Sequence, residues 1–467
     1  MKRAISLILV ALMALMLVPA ISVAADDAVV YLNGATGADT NDGKTAATAV
    51  ATIDKAIEVA NTFTGATEVV IVLAGETAIP NAQHVLPANN ATILLTSVYG
   101  GTDYKTQGAK LVFYNGNCAA IHFNGDAAIE NLNIEILNDN PIFALQYNSF
   151  TVGDGVEITS LKSPTLAKGY PIILIGCNTQ NSVPQDKAAT PTTFTNDVNV
   201  EVNSGTWAYI RGGDRDSMST FDGNMTIDIN GGTFMCPVTT ATGHYGNGNV
   251  NGPTGKCSYG PNAKIVMNLK GGEMDSLIGC SYVGNNTGHT SAADITINIF
   301  DGVKLTNKFV AVQTTNTVFN GKLTVNLYGG DLTGLVESKL VNASVANGGT
   351  GTVTVNYDAN DAKSAAAYKA LKDVCIDDTD VIYGALAAAP VVTEAPATEA
   401  PVVTEAPATE APATDAPVAT DAPVVTTEAP AQPEDTPATG DASVMVVFAA
   451  AAVLSIAAVV VIKKREN

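Results

Sequence analysis

The sequence predicts an all-β fold over residues 26–385, a solenoid of stacked parallel strands, carried on an extended stalk and a C-terminal anchor. Three observations predict it. Apolar and polar residues alternate in short runs that end on glycine. These runs recur at spacings of one structural repeat. At residues 386–435 the composition then changes to a proline-punctuated tract.

The runs are Val198-Asn199-Val200-Glu201-Val202-Asn203-Ser204-Gly205, Ile227-Asp228-Ile229-Asn230-Gly231-Gly232, Met267-Asn268-Leu269-Lys270-Gly271-Gly272, Ile295 to Gly302, and Val325-Asn326-Leu327-Tyr328-Gly329-Gly330. Their final glycines follow one another after 27, 40, 30 and 28 residues. A period-two pattern repeated at that length is one turn of a solenoid. Each strand has an aliphatic face to bury, and stacking coils buries all of these faces together. Glycine at the corners permits positive φ and close approach of the next coil. The Asn residues near the corners are placed to stack as hydrogen-bonded ladders. Up-and-down barrels alternate as well, but with closer turns and without recurring unit lengths.

At the start, Tyr31 to Gly43 and then Ala51 to Ala60 give a short strand followed by a helix whose Ile53, Ala56, Ile57 and Ala60 share one face. Glu68 to Leu73 reads as the first coil strand, and Ala128 to Ile136 is a coil phrase of the same kind. Ala362 to Val374 reads as a helix closing the last coil. The opening and these phrases resemble extracellular right-handed parallel β-helix proteins of the pectin-lyase-like superfamily. That resemblance covers roughly the whole head, implies a right-handed parallel β-helix with an N-terminal capping helix, and carries no catalytic motif.

The ends set the location. Lys2-Arg3, the apolar stretch Ile5 to Val18, and Val23-Ala24-Ala25 before Asp26 have the charged, apolar and small-residue regions of a secretory signal peptide, residues 1–25. Thr-Glu-Ala-Pro and Thr-Asp-Ala-Pro units such as Thr393 to Pro396 and Thr427 to Pro430 fill residues 386–435. Their prolines forbid helix and sheet interiors, so a disordered, extended stalk is expected, at about 3 Å per residue or on the order of 100 Å in all.

Thr436 to Asp441, the apolar run 443–462 and the basic tail 463–467 come last. About twenty apolar residues suffice for a transmembrane helix, and Lys463-Lys464-Arg465 favours a cytoplasmic end. In this order they resemble the sorting signal of Gram-positive wall proteins. The resemblance implies that a sortase cuts between Thr439 and Gly440 in the motif Pro437-Ala438-Thr439-Gly440, then joins Thr439 to peptidoglycan. The family motif has Leu where this chain has Thr436. The alternative is an uncut membrane anchor. Both place the head outside the cell.

Net charge is −21, part of it from the stalk, and no Lys/Arg stripe occurs. Nucleic-acid binding, which needs a cationic surface, is excluded. The acidity suits solubility and divalent-cation binding. Six scattered cysteines do not make a disulfide scaffold, and none are spaced as CxxC zinc ligands. Cys236 and Cys257 flank a Gly/Asn-rich segment and are the one candidate disulfide, whereas Cys177 and Cys280 read as buried.

Parallel β-helices serve as lyases, hydrolases and adhesins, so fold alone does not choose. The best local cluster is Arg211, Asp214, Arg215 and Asp216, just after Trp207 and Tyr209: both charges beside aromatic rings, as an acidic-sugar site requires. These four are the catalytic candidates, against a solvated turn as the alternative. Strict alternation puts Trp207, Tyr209 and Arg211 on one outer face. Comparing repeats instead puts Trp207 in a core column with Phe234, Met274 and Leu332, with Lys304 the exception, and leaves Tyr209 and Arg211 exposed.

The insertion at 240–262 lengthens one coil and adds Tyr245, Tyr259 and His244. Tyr209, Trp207, Tyr245 and Tyr259 are therefore the carbohydrate-binding candidates. His84, His122, His244 and His289 are isolated and read as surface or loop residues. No metal site is expected and no cofactor is required. Ca²⁺ enters only with the lyase reading, where carboxylates hold it against a uronate.

The leading expectation is a wall-anchored surface protein, with sortase and peptidoglycan as partners and polysaccharide or a host-surface glycan as ligand. It touches the membrane only through its C-terminal helix before sorting. A surface polysaccharide lyase or glycoside hydrolase, and a structural wall spacer, are the alternatives.

Overall fold

The computed structural model describes residues 28–80, 82–86, 91–114, 120–137, 141–161, 169–176, 192–213, 219–235, 238–239, 258–280, 289–312, 317–340, 348–379 and 381–389. The predicted signal peptide, the stalk beyond residue 389, the sorting motif, the apolar run and the basic tail lie outside these residues. Among the described residues, no helix is long and apolar enough to cross a membrane.

The described chain is mostly β, with long parallel sheets stacked in register in the manner of a solenoid, consistent with a parallel β-helix. A first row of strands runs through Val29–Leu32, Glu68–Leu73, Thr92–Thr96, Ala127–Glu130, Phe150–Val152, Val198–Val202 and Asn224–Ile229. It continues through the openings of Lys264–Cys280 and Asp294–Val312 to Lys322–Leu327, Thr352–Tyr357 and Ile382–Ala385. The repeats seen in the sequence are these strands, paired residue for residue: Val200, Ile227, Met267, Ile297, Val325 and Val355 form one column.

A second row follows the corners. It begins with Glu76–Ile79, Lys110–Phe113, Asn133–Ile136 and Glu157–Ser160, and further on includes Thr206–Trp207 and Thr233–Phe234. A third row holds Gln83–Leu86, Ala120–Phe123, Ile142–Ala144, Ile172–Leu174, Tyr209–Arg211 and Val238–Thr239. A fourth holds Thr193–Phe194, Thr220–Phe221, Ser258–Tyr259, His289–Ser291 and Thr317–Phe319.

The inward residues of all rows meet in one large core, in which Ile71, Ile129, Val202, Ile297 and Val325 are fully buried. Each such aliphatic side chain contributes roughly 1.5–3 kcal/mol. On the outward side, Asn356 donates to Asn326 at 2.9 Å, Asn326 to Asn298 at 2.8 Å, and Asn298 to Asn268 at 2.7 Å. Asn268 in turn donates to Asp228 at 2.7 Å, and Lys270 closes the run on the other Asp228 oxygen at 3.0 Å. Each of these bonds is worth about 1 kcal/mol net. The ladder therefore sets register, and the core supplies most of the stability.

Helix α1, Ile53–Ala60, starts where Thr52 Oγ1 accepts from the Lys55 N–H at 3.2 Å. It buries Ile53, Ala56, Ile57 and Ala60, the predicted face, over the first coils. His84 Nδ1 lies 2.7 Å from Asp54 in the helix's first turn and ties the cap to the third row. Helix α2, Ala362–Asp373, is N-capped by Asp361. Ser364 Oγ donates to the Leu327 carbonyl at 2.6 Å, and Ser338 Oγ donates to the Leu371 carbonyl at 2.7 Å.

The expectation that α2 closes the last coil is corrected. The third row runs on from Val238–Thr239 through Leu277-Ile278 and Phe309-Val310 to Glu337–Lys339, and Cys375–Asp377 continues it beyond α2, as Ile382–Ala385 continues the first row. The reason is that α2 fills the place a second-row strand takes elsewhere, with Ala367 and Leu371 as its apolar contribution to the core.

Lys304 is also no exception to the core column. The register shifts between Leu269 and Gly271, so Lys304 pairs with Glu273, and Leu305 rather than Lys304 follows Trp207, Phe234 and Met274. One extra residue within the stretch Phe300-Asp301-Gly302 is absorbed as an irregularity. Leu305 is then 0% exposed and Lys304 faces out onto Glu273 at 3.1 Å.

Candidate functional site

The outward side of the third row carries the one part of the predicted cluster that falls among the described residues. Ile142, Ala144, Ile172 and Leu174 alternate with inward partners and so point away from the main core, yet they are buried in a separate apolar cluster with Tyr170 and Ala208. Tyr209 packs against this cluster half-buried. Arg211 pairs in register with Leu174 below and Thr239 above. Its guanidinium carbon sits 4.1 Å from the centroid of the Tyr209 ring. That geometry is a cation–π contact, worth about 0.5–2 kcal/mol depending on desolvation.

Arg211 is corrected from exposed to buried, at 4%. Its neighbour in register, Leu174, belongs to the apolar cluster, and its guanidinium lies over the Tyr209 ring. A guanidinium stays protonated at any pH a protein tolerates, so Arg211 cannot serve as a base there.

Trp207 belongs to the core, as the repeat comparison predicts, and is withdrawn as a carbohydrate platform. It is 0% exposed, donates from Nε1 to the Ser204 carbonyl at 3.0 Å, and meets Phe143 edge-on at 5.7 Å. Strict alternation fails here because the corner at Gly205, with φ +92°, resets the phase before the second row begins.

Tyr259 is corrected in the same way. It is 1% exposed and stands in the inward column Phe194, Phe221, Tyr259, edge-on to Phe221 at 6.0 Å. Asp214, Arg215, Asp216, His244, Tyr245, Cys236 and Cys257 lie outside the described residues.

The reading of the histidines as surface residues is overturned for two of the four. His84 and His122 are buried, at 1% and 0%. His122 lies in the same outward column as Arg211, linked through Ala144 and Leu174. Burial, with the nearby His84 adding to it, pushes the His122 pKa down to about 4 from 6.5. A single His between Ile121 and Phe123 leaves no local sign of this, because what buries it comes from other coils. Cys280, predicted buried, is buried, and its thiol is pushed up to about 12.

The His122 shift makes a signed prediction. The folded state holds this imidazole neutral while the unfolded chain protonates it near pH 6.5. Stability is therefore fully present above that value and falls as the pH drops toward 4, by roughly 3 kcal/mol at most. Thermal melts across that range are expected to show the fall in the natural protein, and His122→Gln is expected to flatten it.

Among the described residues, no group of three or more His, Cys, Asp or Glu side chains is placed to hold a metal ion. Searches against protein-family models, curated proteins and solved structures find no match to this chain.

Proposed function

We propose that this chain is a cell-wall-anchored surface protein whose head, a right-handed parallel β-helix, binds carbohydrate or a neighbouring cell surface. The observation that carries this reading is the order of the C-terminal segments: Thr436 to Gly440, an apolar run of transmembrane length, then Lys463-Lys464-Arg465. The stalk before them supplies the reach to cross a thick wall. Parallel strands stacked in register suit such a head, since each coil braces its neighbours and the outer surface stays rigid. Tyr209, half-buried at the surface of the third row, is the one carbohydrate candidate among the described residues that is not fully buried.

Fractionation of the native cell tests the anchoring. The chain is expected in the wall fraction, released by muramidase, and Thr439→Ala is expected to move it to the membrane fraction. Equal release of both forms by detergent would leave only an uncut membrane anchor. A glycan array on the full chain tests the head. Formation of unsaturated ends from uronate polymers by that chain, abolished in Arg211→Ala, would replace binding with lyase activity.

A further inference from the structure

The outward side of the first row is a lattice, apart from the Arg211 side. In coils 224–357 the register brings Thr226, Val266, Thr296, Thr324 and Thr354 into one column. One pleat along lie Asp228, Asn268, Asn298, Asn326 and Asn356. Neighbouring coils are about 4.8 Å apart and alternate residues along a strand about 6.6 Å apart, so polar groups repeat in two directions.

The Thr side chains, Asn326 and Asn356 are half-buried, while Asn298 is nearly covered. The ladder uses one N–H and one lone pair of each inner amide, leaving the other N–H and lone pair of the half-buried Asn268 and Asn326 for an outside partner. The lattice also has no net charge, since Lys270 neutralises Asp228 at 3.0 Å.

Its two margins differ. On one side the Phe300 and Tyr328 rings stack at 4.9 Å and 7°. On the other an open cleft of about 400 Å³ is lined by Thr195, Asp222, Asn224, Asn262, Lys264 and Asp294. Its volume lies in the range of small-molecule sites. Its polar groups are already held: Asp222 accepts from the Asn262 backbone at 2.8 Å and from its amide at 2.9 Å, and Asn224 donates to Asp197 at 2.7 Å.

We propose that this lattice binds an extended, uncharged polysaccharide laid along the stacking direction. Every polar side chain in the two columns apart from Asp228 both donates and accepts, as sugar hydroxyls do. The absence of net charge in these columns disfavours an acidic polymer. The repeat from coil to coil lets one chain make the same contact many times, and the ladder fixes the amides beforehand, which lowers the ordering cost. The inference rests on the proposal that the head binds carbohydrate.

The test is depletion of the full-length chain, in detergent, by cellulose, chitin and mannan, with polygalacturonate as the acidic comparison. Retention on a neutral polymer is expected, and it should persist in about 1 M salt, where charges are screened beyond about 3 Å. Thr296→Val/Thr324→Val/Thr354→Val should weaken retention about tenfold or more, the equivalent of one or two net hydrogen bonds. The melting temperature should not change, because Val266 already occupies that column.

Unchanged retention in the valine variant, or retention only on polygalacturonate, overturns the proposal. Loss of retention in Tyr209→Ala with the valine variant intact overturns the lattice site while keeping the carbohydrate reading. No retention on any of the four polymers overturns the lattice, and silence on the glycan array as well removes both.

Discussion

Gly272→Val is expected to destabilise the head by about 2–5 kcal/mol, the sum of a left-handed backbone penalty of about 1–2 and an overpacking cost of about 1–3. Gly272 has φ +92°, and a Cβ there would stand 2.7 Å from the Gly232 carbonyl oxygen of the coil below. Backbone cannot swing aside as a side chain can, so the coils must part. Gly271 beside it is as tight, its Cβ position falling 2.3 Å from the Asn230 carbonyl oxygen.

Gly65 provides the control. Its φ is +86° and nothing lies within 4 Å of its Cβ position, so Gly65→Val carries the backbone penalty alone. Urea melts of both variants separate the two costs. Equal destabilisation would show that coil-to-coil contact at the corner is not what holds the stack. Because a solenoid couples mainly neighbouring coils, the Gly272→Val transition is also expected to broaden or split.

Trp207→Ala is expected to cost about 3–5 kcal/mol. The indole is fully buried, packs edge-on to Phe143, and satisfies its N–H on the Ser204 carbonyl, so truncation leaves a cavity and a bare acceptor together. Trp207→Phe should recover most of the loss, since Phe234 fills the same column one coil on. Calorimetry compares all three. Trp207 is the one tryptophan of the chain, so its fluorescence reports the unfolding of this coil directly in the natural protein. A small loss for the alanine variant would mean that this coil contributes little to the cooperative unit.

Where the determining interactions are local, the sequence was enough to read them. The four buried residues of α1 sit on a face set by 3.6-residue periodicity. The strand Glu68–Leu73 follows from short-range rules as well. The repeat strands and their glycine corners are legible because each repeat states the same pattern again, and comparing repeats placed Trp207 correctly where alternation within one repeat did not.

The positions of Tyr259, Arg211 and His122 were not legible. Alternation loses its phase at every corner, so the side of the wall on which Tyr259 falls depends on the register of its coil with Phe221. Arg211 stands beside Leu174, a residue far away in sequence that only the register of the third row brings to it. The Lys304 column was misplaced by a single extra residue that only the pairing of whole coils reveals.

The sequence by itself therefore determined a repeating parallel-strand head with a helical cap, and pointed to an extracellular setting through its two ends. Only the tertiary structure decided which polar residues face outward together: the Asn ladder and Thr columns on one side, Tyr209 with Arg211 on another. The physical reason is that a strand chooses between two faces locally, whereas a column is made of residues 27 to 40 positions apart in the repeats, joined only by the register of one coil on the next.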